Sequence, residues 1–320
     1  MKKILAVILA VAMTISVCAG LTGCASDDGK YVIGICQYMP HDALDQATQG
    51  FMDALVEILG EENVTFREQN AGGEPANCAT IVDGFIAENV DMIMANATPA
   101  LQAAASATDT IPILGTSVTD YATALGIENW TGTVGNNISG TSDLAPLDQQ
   151  AAVIKELFPD AKTVGMIYCS SEPNSLYQIN VIEGYLTELG YTCQRFAFND
   201  VNDLGAVSEA AAQASDVLYV PTDNIAANYP ETIANVIKPL SKPLVAGESS
   251  TCSACGVATL SISYYDLGYA TGKMAAKVLT GEADISTMPV ETLSQVQKLY
   301  NAEMCEAVGV PIPEGYAPIG

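Results

Sequence analysis

The residues best suited to chemistry fall in six short runs: Gln37-Tyr-Met-Pro-His41, Asn96-Ala-Thr-Pro-Ala100, Thr116-Ser-Val-Thr-Asp120, Ser170-Ser-Glu-Pro-Asn-Ser175, Pro221-Thr-Asp-Asn224 and Gly247-Glu-Ser-Ser250. Each is rich in hydroxyls, amides or carboxylates and each follows an apolar run. Such groups hold a small polar molecule well, and catalysis is poorly supplied. His41 is the single histidine, so a Ser-His-Asp or Cys-His site could be built only through it, and no Gly-x-Ser-x-Gly elbow accompanies it. There is no Gly-x-x-x-x-Gly-Lys-[Ser/Thr] loop, and the turn after the first strand lacks Gly-x-Gly-x-x-Gly. Cys252-Ser-Ala-Cys255 has redox spacing but lies between two strands in what reads as a hinge loop. A local disulfide or two free thiols therefore outweighs catalysis there. A zinc site would need two further ligands that the sequence does not offer, so neither metal nor cofactor is expected.

The elements that position these runs alternate strand and helix. Strands are expected at 31–36, 64–68, 92–95 and 112–115, with helices at 42–59, 77–88 and 99–108. A second series follows, with a helix at 144–157 capped by Ser142 or Asp143 and strands at 163–169, 192–197, 217–220 and 243–246. Its intervening helices fall at 175–189, 204–214 and 227–240. Late elements at 257–261, 265–279, 296–300 and 303–307 come after two apparently complete lobes. The fold class is thus α/β, with two doubly wound Rossmann-like lobes joined by a three-crossover hinge near 116–142, 248–262 and 286–294. Residues 31–141 plus 262–287 form lobe 1, and 142–261 plus 288–320 form lobe 2.

In doubly wound sheets a ligand lies beyond the carboxyl ends of the strands, where all six polar runs fall. Thr98 and the Ser171-Glu172-Pro-Asn174-Ser175 turn place Pro at a helix start, with free amides just beyond. Asp223 ends an apolar strand and is either the partner of a bound ammonium or the N-cap of the next helix. Asp120, Asp143, Glu172 and Glu248 are further acids that could meet a cation. Tyr38, Tyr177, Tyr229 and Tyr264 could supply an aromatic wall, and His41, Thr116 and Asn224 complete the candidate ligand contacts.

Leu21-Thr-Gly-Cys24 gives the address. Lys2 and Lys3, an apolar stretch from Ile4 to Val17 and a small-residue approach form a secretory leader over 1–23. The four residues resemble a bacterial lipobox, which implies a lipid on Cys24 and a tether over 24–30. Two acyl chains anchor stably, so the mature protein is expected outside the cytoplasm and lipid-anchored to the cell membrane. The formal charge of −25 becomes −27 once Lys2 and Lys3 are removed, which disfavours nucleic acid as a partner.

The runs Asn96-Ala-Thr-Pro-Ala100, Ser170-Ser-Glu-Pro-Asn-Ser175, Tyr219-Val-Pro-Thr-Asp-Asn224, Tyr264-Tyr-Asp-Leu-Gly268 and Thr271-Gly-Lys-Met274 together resemble one family. It is the tryptophan/tyrosine-type group of substrate-binding lipoproteins that serve ABC importers. The resemblance implies a type I periplasmic-binding-protein fold, closure on one amino acid (tyrosine, tryptophan or phenylalanine), and delivery as a monomer to a membrane permease driven by a separate ATPase. It also implies that Thr98 and the 170–175 loop hold the ligand carboxylate and that Asp223 meets its ammonium. Receptors for a nucleoside, a sugar or a branched-chain amino acid, a ligand-sensing lipoprotein of a signalling system, and a thiol-redox lipoprotein are the alternatives.

Overall fold

The computed structural model describes residues 30–319, so the leader, the lipobox and Cys24 lie outside the described residues. Lobe 1 is built on a six-stranded sheet of order β2-β1-β3-β4-β5-β11. Its strands are β1 (Tyr31–Gln37), β2 (Val64–Asn70), β3 (Met92–Asn96), β4 (Ile113–Val118), β5 (Ile138–Ser142) and β11 (Glu291–Thr292), and all of them pair in parallel. Lobe 2 carries the order β7-β6-β8-β9-β10-β12-β13. Its strands are β6 (Thr163–Cys169), β7 (Thr192–Phe198), β8 (Val217–Val220), β9 (Leu244–Ala246), β10 (Ala258–Ser261), β12 (Gln297–Tyr300) and β13 (Ala317–Pro318); β10 and β12 pair antiparallel. Central strands such as β3 and β8 are buried on both faces, as helix-covered parallel sheets require, and so read as unbroken apolar runs.

Helices α1 (Asp42–Leu59), α2 (Pro75–Glu88), α3 (Thr98–Ala107), α4 (Tyr121–Leu125) and α11 (Tyr264–Leu279) belong to lobe 1. Helices α5 (Leu147–Leu157), α6 (Pro173–Glu188), α7 (Val201–Ala214), α8 (Asn224–Asn228), α9 (Pro230–Ile237), α10 (Ser249–Cys255) and α12 (Ala302–Val308) belong to lobe 2. Although α11 lies far along the chain, it packs backbone to backbone on α1. A Cβ on Gly268 would strike the Ala47 carbonyl, and one on Gly50 would strike that of Tyr265. This contact ties the return of the chain from lobe 2 to the first helix of lobe 1.

The chain crosses between lobes at 143–146, 262–263 and 293–296. Residues 288–292, which the sequence pattern assigns to lobe 2, instead complete lobe 1: β11 pairs with β5, and Met288 is buried in the lobe 1 core. The two-residue β11 is exposed and carries no apolar signal. Strand β5 has a different reason for escaping notice. Its sequence, Ile-Ser-Gly-Thr-Ser, is polar yet fully buried, because Ser139 donates to the Met288 carbonyl and Thr141 joins the hydroxyls of Thr116 and Thr271. The helix expected over 227–240 breaks into α8 and α9 at Pro230, which lacks the amide hydrogen that a continuous helix needs. Ser142 and Asp143 cap no helix, since α5 begins only at Leu147. Around the crossings, Ile262, Tyr264 and Leu267 pack with Ala43 and Ala47 of α1, with Leu293 and Val296 against them, so the hinge has an apolar core of its own.

Candidate functional site

The strand order reverses between β1 and β3 in lobe 1 and between β6 and β8 in lobe 2, the positions where doubly wound sheets open a crevice. Two spaces lie between the lobes there. The outer one is a cleft of about 760 Å³, within the range of small-molecule sites. Lobe 1 lines it with Tyr38, Met39, Pro75 and Pro99, and lobe 2 with Ser171, Glu172, Ile225 and Tyr229. The inner one has room for a single water-sized group. It is walled by His41, Ser117, Thr119 and Asp143 on one side, Asn174, Thr222, Asp223, Asn224 and Glu248 on the other, and Tyr264 at the hinge. The 171–175 turn borders both spaces. No Lys or Arg lines either one, and the four ion pairs among the described residues, Arg67–Glu88, Arg195–Glu183, Lys238–Glu303 and Lys298–Glu156, all lie elsewhere.

Four carboxylates are buried around the inner cavity: Asp143, Glu172, Asp223 and Glu248. Burying a charge without a cation is costly unless hydrogen bonds replace the lost water. Three of the four are fully supplied. Asp223 caps α8 by accepting from the Ala226 amide at 3.0 Å and also accepts the Cys169 amide at 2.6 Å. Glu248 caps α10 through the amides of Ser250 and Thr251. Glu172 accepts from Asn174 Nδ2, from Asn224 N and Nδ2, and from the Ile225 amide, and so clamps the loop after β8 to the loop after β6.

Asp143 differs. Its Oδ2 accepts the Tyr264 hydroxyl at 2.9 Å, while its buried Oδ1 has no partner. Burial pushes its pKa up to about 6 against the pull of the Tyr264 and Thr119 hydroxyls, with the Glu248 charge adding to the rise. Burial and the nearby Glu172 raise Asp223 as well. His41 spans the lobes, its Nε2 standing 3.4 Å from Asn224 Oδ1, and burial holds its pKa below the ordinary value.

The structure brings together His41, Asp143, Asn174, Asp223, Asn224 and Glu248 in the inner cavity, and Tyr38, Ser171 and Glu172 in the cleft. It sets the others apart. Thr116 Oγ1 lies in the buried hydroxyl triad with Thr141 and Thr271, a core role that the sequence run concealed. Asp120 caps α4 by accepting the Thr123 amide. Ser175 is fully buried and accepts from Asn174 Nδ2 at 3.4 Å, and Thr98 is buried in the first turn of α3 beside the cleft-lining Pro99. Of the candidate aromatic walls, Tyr38 and Tyr229 line the cleft and Tyr264 the cavity.

Two features escape a linear reading. Ser117 adopts φ 54° at the end of β4 and Ala97 φ 85° at the end of β3, conformations that non-glycine residues rarely take and that gather at functional sites. Ser117 and Thr119 stand in a polar run but have no individual signal in the sequence. Cys252 and Cys255 require correction, because they sit in helix α10 and not in a hinge loop, and both are free and buried. Cys255 donates its S–H to the Thr251 carbonyl at 3.3 Å, and burial raises both thiols, which makes them poor nucleophiles. Among the described residues no cluster of His, Cys, Asp and Glu is arranged to hold a metal ion.

Two crevices facing one another across a three-segment hinge, with a polar inner cavity and a larger, partly apolar cleft, suit a protein that holds a ligand by closing. Over residues 32–317 the chain matches the family model of the ABC transporter substrate binding proteins. It belongs to that family. This substrate-binding protein is 32% identical to a tyrosine-binding protein of Clostridioides difficile (strain R20291), over 96% of this chain and 92% of the relative. The structure of an ABC domain from Streptococcus pneumoniae in complex with L-Trp overlays with a TM-score of 0.82 at 32% identity, covering 88% of this chain and 96% of that one. A ligand-free, open substrate binding protein with adhesive properties from Clostridium difficile gives a TM-score of 0.71 at 33% identity, covering 90% and 99%. The fold is that of the type I periplasmic binding proteins. At nearly equal identity the overlay is closer with the complex than with the open structure, in keeping with the His41–Asn224 contact across the lobes.

The raised pKa of Asp143 has a measurable consequence. Between about pH 4 and pH 6 the folded protein holds a proton on Asp143 that the unfolded chain releases. That stability is complete below the unfolded pKa and is lost as the pH rises through about 6. The melting temperature of ligand-free protein should therefore fall from pH 5 to pH 7.5, and Asp143→Asn should make this slope shallower, leaving the part due to Asp223, and melt higher than wild type at pH 7.5. Equal slopes in differential scanning fluorimetry would show that Asp143 is not strained by burial.

Proposed function

We propose that the protein is the extracytoplasmic receptor of an ABC importer and closes over an aromatic amino acid, tyrosine, tryptophan or phenylalanine, for delivery to a permease driven by a separate ATPase. The observation that carries this reading is the juxtaposition of a buried, acid-rich cavity without Lys or Arg and a larger cleft bordered by Tyr38 and Tyr229. The first suits a cationic head group, and the second a flat apolar body. Relatives at similar identity, one called tyrosine-binding and one holding L-Trp, support the amino-acid class. A stack of aromatic rings without a buried acid would instead suit a nucleoside, and the unpartnered Asp143 oxygen favours the amino acid.

In this reading Cys24 carries the lipid and residues 24–30 the tether. Tethering holds the receptor near its permease and raises its effective concentration without further contacts. Cys24→Ala should release the protein from the membrane fraction and remove the acyl mass from its N-terminal peptide; retention on the membrane would refute the anchor.

Calorimetry on purified protein freed of bound ligand, against the twenty common amino acids, a nucleoside set and simple sugars, tests the cargo. Heat is expected with at least one of tyrosine, tryptophan and phenylalanine, at an affinity at least tenfold above that for leucine. Binding only to nucleosides or sugars would overturn the reading.

A further inference from the structure

The inner cavity collects polar atoms that lack partners: Asp143 Oδ1, Asn174 Oδ1, His41 Nδ1 and Ser117 Oγ. Their hydrogen-bonding character follows from their neighbours. Asn174 Nδ2 donates to Glu172 Oε2 at 2.9 Å and to the Thr222 carbonyl at 3.2 Å, which fixes the amide and leaves Oδ1 an acceptor. Asn224 Nδ2 donates to Glu172 Oε2 at 2.7 Å, so Asn224 turns Oδ1 toward His41. His41 Nε2 must then carry the hydrogen. With the ring neutral in its buried setting, Nδ1 is an acceptor. Asp143 Oδ2 is taken by Tyr264, and Oδ1 is the one buried carboxylate oxygen near the cavity that makes no hydrogen bond among the described residues, although the Thr119 hydroxyl is a neighbour.

Three buried acceptors thus border a space the size of one water molecule. Water brings two protons, whereas a primary ammonium brings three and a positive charge. We propose that the ligand's ammonium occupies this inner cavity and donates one hydrogen bond each to Asp143 Oδ1, Asn174 Oδ1 and His41 Nδ1. The assignment rests on the amino-acid reading above and moves the ammonium from Asp223, whose oxygens already accept backbone amides, to Asp143.

The three acceptors come from different parts of the machine. His41 precedes α1 in lobe 1, Asn174 lies in the first turn of α6 in lobe 2, and Asp143 is on the first crossing segment, bonded to Tyr264 at the second. A primary ammonium therefore ties both lobes to the hinge, and closure becomes selective for amines with three free protons.

The test uses purified protein and whichever of L-tyrosine, L-tryptophan and L-phenylalanine binds best. That amino acid is compared with its analogue lacking the amine and with its N-methyl and N,N,N-trimethyl derivatives. A hydrogen bond to a charged group is worth about tenfold or more in affinity, so the des-amino acid should bind about 100-fold more weakly. The N-methyl form should be intermediate. The trimethyl form should be as weak as the des-amino acid although it keeps its charge. Asp143→Asn should weaken the parent amino acid about 30-fold while leaving the des-amino acid within about threefold, which also reports an intact fold. A trimethyl derivative binding within about threefold of the parent, or unchanged discrimination in Asp143→Asn, would overturn the assignment and leave the amino-acid reading standing. Should Asp143→Asn not fold, the methylation series on wild type decides. If none of the three amino acids binds, the functional reading falls and this assignment with it.

Discussion

Buried negative charge without a protein cation is the constraint around which this molecule is arranged. Four carboxylates, Asp143, Glu172, Asp223 and Glu248, are removed from water between the lobes of a strongly acidic chain, and the four basic side chains that form ion pairs among the described residues do so elsewhere on the surface. Such charges persist only where hydrogen bonds replace hydration. Glu172, Asp223 and Glu248 meet that demand with the amides at the starts of α8 and α10, so the loops after β6, β8 and β9 are held by their own acids. Asp143 meets it by half: the Tyr264 hydroxyl bonds one oxygen, the other makes no hydrogen bond although Thr119 is a neighbour, and burial raises its pKa. An incompletely satisfied buried acid at a hinge is a source of binding energy for a cation of the right shape.

The hinge makes that energy mechanical. The second and third crossings run past one apolar cluster in which Ile262 and Tyr264 pack against α1, and α11 is locked onto α1 at Gly50 and Gly268, where their backbones touch. The side chains proposed to hold the ligand are thereby the immediate neighbours of those at the hinge. Closure needs no long pathway when Asp143 lies on one crossing and its partner Tyr264 begins the helix after another.

Much of this was legible in the sequence because parallel strands covered on both faces must be apolar: β1, β3, β6 and β8 announce themselves, and the polar runs that follow them mark the ligand edge. What was not legible depends on partners distant in sequence. Strand β5 is hydroxyl-rich, and its burial is intelligible only once Thr116, Thr271 and Met288 surround it. For the same reason Thr116 looks like a ligand contact in its run and is a core residue in the fold. Asp223 offers one linear pattern with two meanings, cap or ammonium partner, and its bonds to Ala226 and Cys169 choose the cap. Asp143 reads as an ordinary acid in the sequence because nothing local shows that Tyr264, more than a hundred residues on, takes one oxygen and leaves the other without a hydrogen bond.

The most direct measurement of the central claim, that this cavity and cleft hold an amino acid by its ammonium, is native mass spectrometry of protein purified without denaturation. The account predicts a retained adduct whose mass equals a free aromatic amino acid and which is lost on transfer to acid, where Asp143 is protonated. An adduct with the mass of a sugar, a nucleoside or an inorganic ion would contradict it.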